Sequence, residues 1–468
     1  MSFLLRGTAL SLINYPCSIS IALLFLDIDS CHDSMPQNFQ DAVTVTRMLG
    51  IQYLWIDSLC IIQDSKEDWE REGAKMGDIY HNAYVTIAAT CASKSEDGFL
   101  QTDFVDSRTL ITFPTESFSM SYCNLVLQET DVVGSHWEEG VEDATWNSRA
   151  WTMQERFLSP RTIHFSKHQI YWECQTQKLS ETGESIFHAP LTPPDRPSLF
   201  VEEEPLPNGE ESVEISSIAA YKNDMYDWWY TIAARYSIRN LTYPSDKLPA
   251  LSGLAALMSS LTATKTPDSY LCGIWEGDLA FGLLWRYSDA RFQGPFTSRA
   301  PSWSWAKSDN QVIWRDREGA ARSQIRMISK NVQLQGLNPY GEIKAAVLHL
   351  SGKIIPVALQ VPASAQFRMS DPKIPSQFPC EIRRLHETDI VAIGSLDNPE
   401  DRDGQRLHLL QVERQDIGVT GRENNWSGLL MQKVDVGYSN YLRIGVYILC
   451  RDHLGIFETE EERPFTLE

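Results

Sequence analysis

The chain has 468 residues, enough for two or three domains that each bury a core, and its 43% hydrophobic content with 14 Trp marks it as a folded protein. Forty-one basic residues against 62 acidic ones give a net charge of −21, a field that repels phosphate backbones and anionic surfaces, so neither nucleic acid nor a membrane is an expected partner. The nine cysteines are odd in number and spread singly, with no C-x-x-C pair and no metal-ligand spacing, which reads as reduced thiols of a cytoplasmic protein without a metal site.

Residues 1–34 hold an apolar run, Ile19 to Leu26 within a broader stretch from Thr8 to Phe25, which is borderline for a membrane span and has a signal peptide as its alternative reading. They read as a divergent N-terminal strand and helix. Phe39, Ala42, Val43, Thr46 and Leu49 then form a helical stripe that Gly50 closes. Tyr53 to Ile56 is a short aromatic and β-branched strand stopped by Asp57-Ser58. One amphipathic helix follows, capped by Ser65 or Asp68, with Trp69, Met76, Ile79, Tyr80 and Ala83 on its buried face. Val85 to Ala89 repeats the apolar strand, giving a β-α-β unit. In an open α/β sheet, polar residues past the carboxyl end of a strand line the ligand crevice, so Asp57, Ser58, Gln63 and Asp64 sit at a rim.

Thr109 to Leu127 alternates like strands and loops. Trp151 to Phe157 is helical and ends at Ser159-Pro160, and Thr162 to Phe165 with Ile170 to Glu173 forms a hairpin. The segment 188–214 interleaves six Pro with Glu and reads as an acidic linker that closes a domain at 35–187. Beyond it lie a helical region at 215–280, with helices over Ile215 to Leu241 and Ala250 to Leu261, and a mixed, mainly β domain at 281–468. The aromatics Tyr226, Trp228, Trp229 and Tyr230 fit core packing on a helix. Trp303 and Trp305 fit the same on a strand.

Two constellations could carry chemistry. In the first, Asp57, Ser58 and Asp64 share a rim with Glu72, which borders the apolar face of the Trp69 helix. There it either serves as a carboxylate of raised pKa or supports the helix through a local cation. In the second, Arg149, Trp151, Gln154, Glu155 and Arg156 lie on the next helix. Arg156 and Arg161 are placed to clamp Glu155, either as a polar latch to the hairpin or as the second wall of the rim. Cys60, with His81 or His164, is a weaker nucleophile candidate because Leu59, Ile61 and Ile62 surround it. No G-x-S-x-G, P-loop, G-x-G-x-x-G or H-E-x-x-H word occurs.

The words LWIDSLCIIQD, DW-x-x-E-x-x-x-M and IY-x-NA-x-x-TIAA, followed by RAWTMQERFLSPRTIHF from Arg149 to Phe165, resemble the fungal heterokaryon-incompatibility (HET) domain. Residues 38–174 are covered closely. DKLPALSGLA (Asp246 to Ala255) and APSWSWA (Ala300 to Ala306) follow more loosely. MPQNFQDAV (Met35 to Val43) matches a phrase of the family, but the aromatic-glycine word that precedes it in other members is missing, which predicts a lost or substituted first strand.

The resemblance implies an α/β domain distantly like the three-layer TIR fold, and a regulatory role in non-self recognition and programmed cell death. It also implies protein partners and self-association. By TIR analogy Glu72 and Asp57 would be catalytic, Ser58 and Trp69 would line the pocket, and NAD would be the substrate. The alternative is an inactive paralogue acting as a scaffold. No resident cofactor is implied.

Overall fold

The computed structural model describes residues 2–6, 32–100, 109–114, 122–127, 136–186, 211–262, 268–288, 299–315, 317, 321–360, 379–385, 387, 389–397, 406–415, 427–434, 439–450, 453 and 455–468. The apolar run from Ile19 to Leu26 and most of the Pro- and Glu-rich stretch lie outside these residues. The chain divides into two compact units, Met1–Val201 and Glu202–Glu468.

The first unit is α/β. Its strands β1 (Ser2–Arg6), β2 (Tyr53–Trp55), β3 (Val85–Ala88), β6 (Arg161–Phe165), β7 (Ile170–Cys174) and β8 (Lys178–Ser180) form one mixed sheet in the order β2-β1-β3-β6-β7-β8. β4 (Thr109–Pro114) and β5 (Tyr122–Leu127) make a separate hairpin. The helices are α1 (Gln37–Met48), α2 (Lys66–Gly73), α3 (Met76–His81) and α4 (Ala150–Leu158).

A first strand is therefore present. β1 lies between β2 and β3 and runs antiparallel to both, pairing Leu4 with Trp55 and Phe3 with Ile87. β2 and β3 keep the common direction expected of a β-α-β unit, but they are not neighbours. The helix expected as one piece is two, because the chain turns at Ala74 and Lys75. Ser65 caps α2, its side chain accepting from the Asp68 backbone N–H. Leu49, assigned to the buried stripe of α1, is instead exposed at the helix end.

Strand alternation divides the sheet into two chemically different faces. Val85, Ile87 and Phe165 pack with Phe39, Ala42 and Val45 of α1 in an apolar core. The opposite face carries Thr86, Thr162, His164 and Glu173, with Thr86 paired to Thr162 and Thr162 to Glu173 in register. This polar face is the one that α4 covers, for Thr86 Oγ1 and Ser159 Oγ lie 2.5 Å apart just past the helix end.

In the second unit, α5 (Glu211–Ser237) and α6 (Ser252–Thr262) precede short strands β9 (Tyr270–Leu271), β10 (Ile274–Trp275), β11 (Arg286–Tyr287) and β12 (Val312–Ile313). Longer strands follow: β13 (Ala321–Ser323), β14 (Arg326–Leu334), β15 (Ile343–Gly352), β16 (Ile354–Gln360), β17 (Pro379–Arg384), β18 (Ile390–Leu396), β19 (Arg406–Gln415), β20 (Ser427–Lys433), β21 (Asn440–Leu449) and β22 (Arg463–Leu467). β16, β17, β18, β21, β20 and β19 pair antiparallel in turn, and β19 returns to β16, which closes a barrel. Closure leaves none of these six strands with a free edge along its full length. Val357, Ile382, Leu409 and Leu430 belong to the apolar core that the closed strands share.

Trp303 and Trp305 do not stand on a strand. They occupy a turn and a short 3-10 segment, Trp305–Lys307, and are fully buried, as are most of the α5 aromatics. Trp229 and Trp305 both donate their indole N–H to the Gly273 carbonyl at 2.8 Å, which satisfies the polar end of each buried ring.

Candidate functional site

β2 ends in buried Ile56, and the chain then makes one helical turn, Asp57–Cys60, so that Asp57 stands half-buried at the strand's carboxyl end. Asp57 Oδ1 accepts the Ser58 backbone N–H at 2.7 Å, which fixes the carboxylate at the turn. Ser58, Gln63 and Asp64 are exposed; Gln63 Nε2 donates to the Ile61 carbonyl at 2.8 Å.

The helix α3 brings a residue that the sequence reading left in the core, Tyr80. Its ring is buried edge-on to Trp55 of β2, with centroids 5.9 Å apart, and the charges of Glu155 of α4 and of Asp57 act on its hydroxyl. Burial holds the phenol well above its usual pKa, and the charges of Glu155 and Asp57 push it the same way against the opposing Arg149. Tyr80 is therefore a neutral donor at physiological pH, within electrostatic reach of two acids and one cation drawn from both predicted constellations. Trp69 and Trp151 close the same region, meeting edge to face with centroids 6.2 Å apart. Gln154 is buried on α4 beside Glu155, while Arg149 is exposed at the helix start, where its carbonyl accepts from Thr152 Oγ1 at 2.7 Å.

Glu72 is buried on α2 as expected, but its Oε1 receives Arg71 Nε at 3.1 Å and Lys75 Nζ at 3.0 Å. The local-cation role of this carboxylate is thus the one its bonds describe. Cys60 is buried, and His164 directs its Nε2 to Glu173 at 2.9 Å.

Arg156 and Arg161 do not clamp Glu155. Arg161 reaches the Tyr84 carbonyl at 3.2 Å, and Arg156 makes two forked pairs elsewhere. Its Nη1 and Nη2 donate to Glu142 at 3.0 and 2.8 Å, and its Nε and Nη2 donate to Glu173 at 2.7 and 3.1 Å. A latch between α4 and the following hairpin does exist, then, with Glu173 of β7 as its acid. Trp137 roofs it, lying 5.6 Å from the Arg156 guanidinium and donating its indole N–H to Glu142 at 3.0 Å.

Burial is the largest single influence and would raise both carboxyls, but Arg156, joined by Lys178 at Glu142 and by His164 at Glu173, outweighs it in sum, so Glu142 is held below and Glu173 well below the usual carboxylate range. Burial dominates at His164 and keeps it neutral despite its bond to Glu173. The signal for this cluster was available in the alternation of Thr162, His164 and Glu173 on one face of a hairpin, because a buried Arg needs acids in reach.

Two groups of polar side chains result: a buried ion cluster that fixes α4, and the buried Tyr80 on which the charges of Glu155, Asp57 and Arg149 act. A buried phenol held neutral in this way is a hydrogen-bond donor rather than a proton shuttle. Among the described residues no group of three or more His, Cys, Asp and Glu is placed to hold a metal, and no helix is long and apolar enough to cross a membrane.

Residues 21–155 match the family described as "Heterokaryon incompatibility protein (HET)". The matched span includes Asp57, Tyr80, Glu142, Arg149 and Glu155, whereas Arg156, His164 and Glu173 lie just beyond it. No curated protein and no solved structure matches the chain.

Proposed function

Because the chain carries a heterokaryon incompatibility domain over residues 21–155, we propose that it is a regulatory module of fungal non-self recognition that triggers programmed cell death. In this reading the first unit is the effector, acting in the cytoplasm. Its working surface is the site where Asp57, Tyr80, Arg149 and Glu155 meet, and a protein partner or self-association switches it on. The observation that supports the reading is that separate words of the family pattern meet through ring contacts, Tyr80 on Trp55 and Trp69 on Trp151. Expression in a fungal host tests it: the wild-type chain should arrest growth, and healthy growth at full expression would overturn the reading.

A second reading makes the same unit a TIR-like NAD glycohydrolase. It is favoured by the aromatic wall of Trp69 and Trp151 beside a buried carboxylate. Such a reaction asks for one acid to stabilise an oxocarbenium-like centre and for a flat surface to hold a base. Glu155, buried on α4 one turn from Trp151, suits that role better than Glu72, which two cations already engage. Purified protein that releases no nicotinamide from NAD, alone or artificially clustered, would eliminate the reading. An inert scaffold would show neither growth arrest nor turnover.

A further inference from the structure

The second unit holds a cavity of about 480 Å³ that the first unit's chemistry does not use. Its volume lies within the range of small-molecule sites. Glu276, Asp278 and Glu413 line it with Arg315 and Arg317, and Phe281 and Met327 supply apolar wall.

The charges do not balance. Three lining carboxylates face two guanidiniums, and Asp227 on Arg317 offsets Lys330 on Glu276, so one negative charge remains in excess among these described residues. Each nitrogen of Arg317 has an acidic partner, Nε on Asp227 and the other two on Asp278, and its guanidinium lies 4.0 Å over the Phe281 ring. Burial, stronger than these bonds, pushes the Asp278 carboxyl up to about 6 and also raises that of Glu413. Arg315 differs from Arg317. It pairs with Glu413, but its buried Nε has no hydrogen-bond partner among the described residues.

The cavity thus lacks a positive charge and, at one point, an acceptor. A simple cation would leave Arg315 Nε unmet, and an inorganic anion would deepen the charge excess.

We infer that this cavity binds a small zwitterion of the α-amino acid class, its carboxylate on Arg315, its ammonium among Asp278 and Glu413, and an apolar side chain against Phe281 and Met327. The inference is independent of the effector reading, because every residue in it belongs to the second unit.

Calorimetric titration of the full chain tests it, with L-leucine, L-methionine and L-phenylalanine as probes. At least one should bind saturably. Its amide, which lacks the carboxylate, and its N-acetyl derivative, which lacks the ammonium, should each bind at least tenfold more weakly. Ala321→Trp, at an exposed position of β13 lining the cavity, should weaken binding at least tenfold without altering the circular dichroism spectrum. Arg315→Lys should do the same if it folds, as a lysine cannot reproduce the Nε donor. Absence of saturable binding by all three probes overturns the proposal. So does equal binding of the N-acetyl derivative or of inorganic phosphate, or an unchanged affinity in Ala321→Trp.

Discussion

Trp69 of α2 and Trp151 of α4 meet edge to face, their rings 84° apart in plane, and join two helices that are about eighty residues apart in sequence. The contact places the words DW-x-x-E and RAWTMQE in one structure. Edge-to-face pairs contribute about 0.5–1.5 kcal/mol beyond area burial. A double-mutant cycle with Trp69→Ala and Trp151→Ala should therefore return a coupling energy of about that size by urea unfolding. Additivity of the two losses would mean the rings do not support one another.

Arg156→Ala should be the most damaging single change in the first unit. It takes the guanidinium from buried Glu142 and leaves Glu173 only His164 and Lys178, and breaking such a pair typically costs about 3–5 kcal/mol. Arg156→Lys should recover only part of this, because an ammonium cannot serve two carboxylates through forks. Urea unfolding followed by tryptophan fluorescence reads both. Full rescue by lysine would contradict the forked geometry.

Acid should weaken this unit in two stages, with the same sign in each. His164 is held neutral below its usual 6.5, so as pH falls through 6.5 the unfolded chain takes up a proton that the folded chain refuses, and stability drops. Glu142 and Glu173 have depressed folded values, so their contribution is complete above the ordinary carboxylate range and is lost as pH falls from that range down through the lower folded values. Thermal unfolding followed from neutral pH down to strongly acid pH, well below the ordinary carboxylate range, measures both stages. His164→Gln should flatten the upper one and leave the lower, and an unchanged upper stage would assign it to another group.

Gly273→Ala should destabilise the second unit by about 1–3 kcal/mol from backbone strain, with steric cost added. Gly273 has φ +102°, and a Cβ there would come within 2.6 Å of Trp305 Nε1. Trp305 could not move away without giving up its bond to the Gly273 carbonyl. Denaturant titration of the variant measures the loss, and a stability equal to wild type would show that the turn relaxes freely.

Glu72→Gln separates the two carboxylates. Since buried Glu72 bonds Arg71 and Lys75, its amide should cost about 1–3 kcal/mol in stability, the range for losing a hydrogen-bonded charge, and leave growth arrest intact. Glu155→Gln and Tyr80→Phe should abolish arrest. Loss of arrest in Glu72→Gln, with the protein folded, would restore the TIR-type assignment.

Local pattern made much of this legible. The 3.6-residue stripe of α1, the apolar runs of β2 and β3, the Ser159-Pro160 stop after α4 and the β6–β7 hairpin all follow from spacing and turn chemistry. Non-local pairing did not. The insertion of β1 between β2 and β3 leaves no mark within the Ser2–Arg6 segment, and short alternating runs cannot tell a closed barrel from an open sheet. Tyr80 is buried as its place on the apolar face predicts, whereas its contact with Trp55 of β2 is non-local and leaves no mark in the spacing. Arg156 was matched to its sequence neighbour Glu155, whereas α4 presents consecutive side chains to different surroundings: Glu155 to Tyr80, Arg156 to the sheet.

The most direct measurement is growth of a fungal host expressing Arg149→Ala or Asp57→Asn beside the wild-type chain at matched protein levels. Neither side chain is in the buried core, so both variants should fold. The account predicts arrest with the wild type and normal growth with either variant. Undiminished arrest in both would show that the effector surface lies elsewhere.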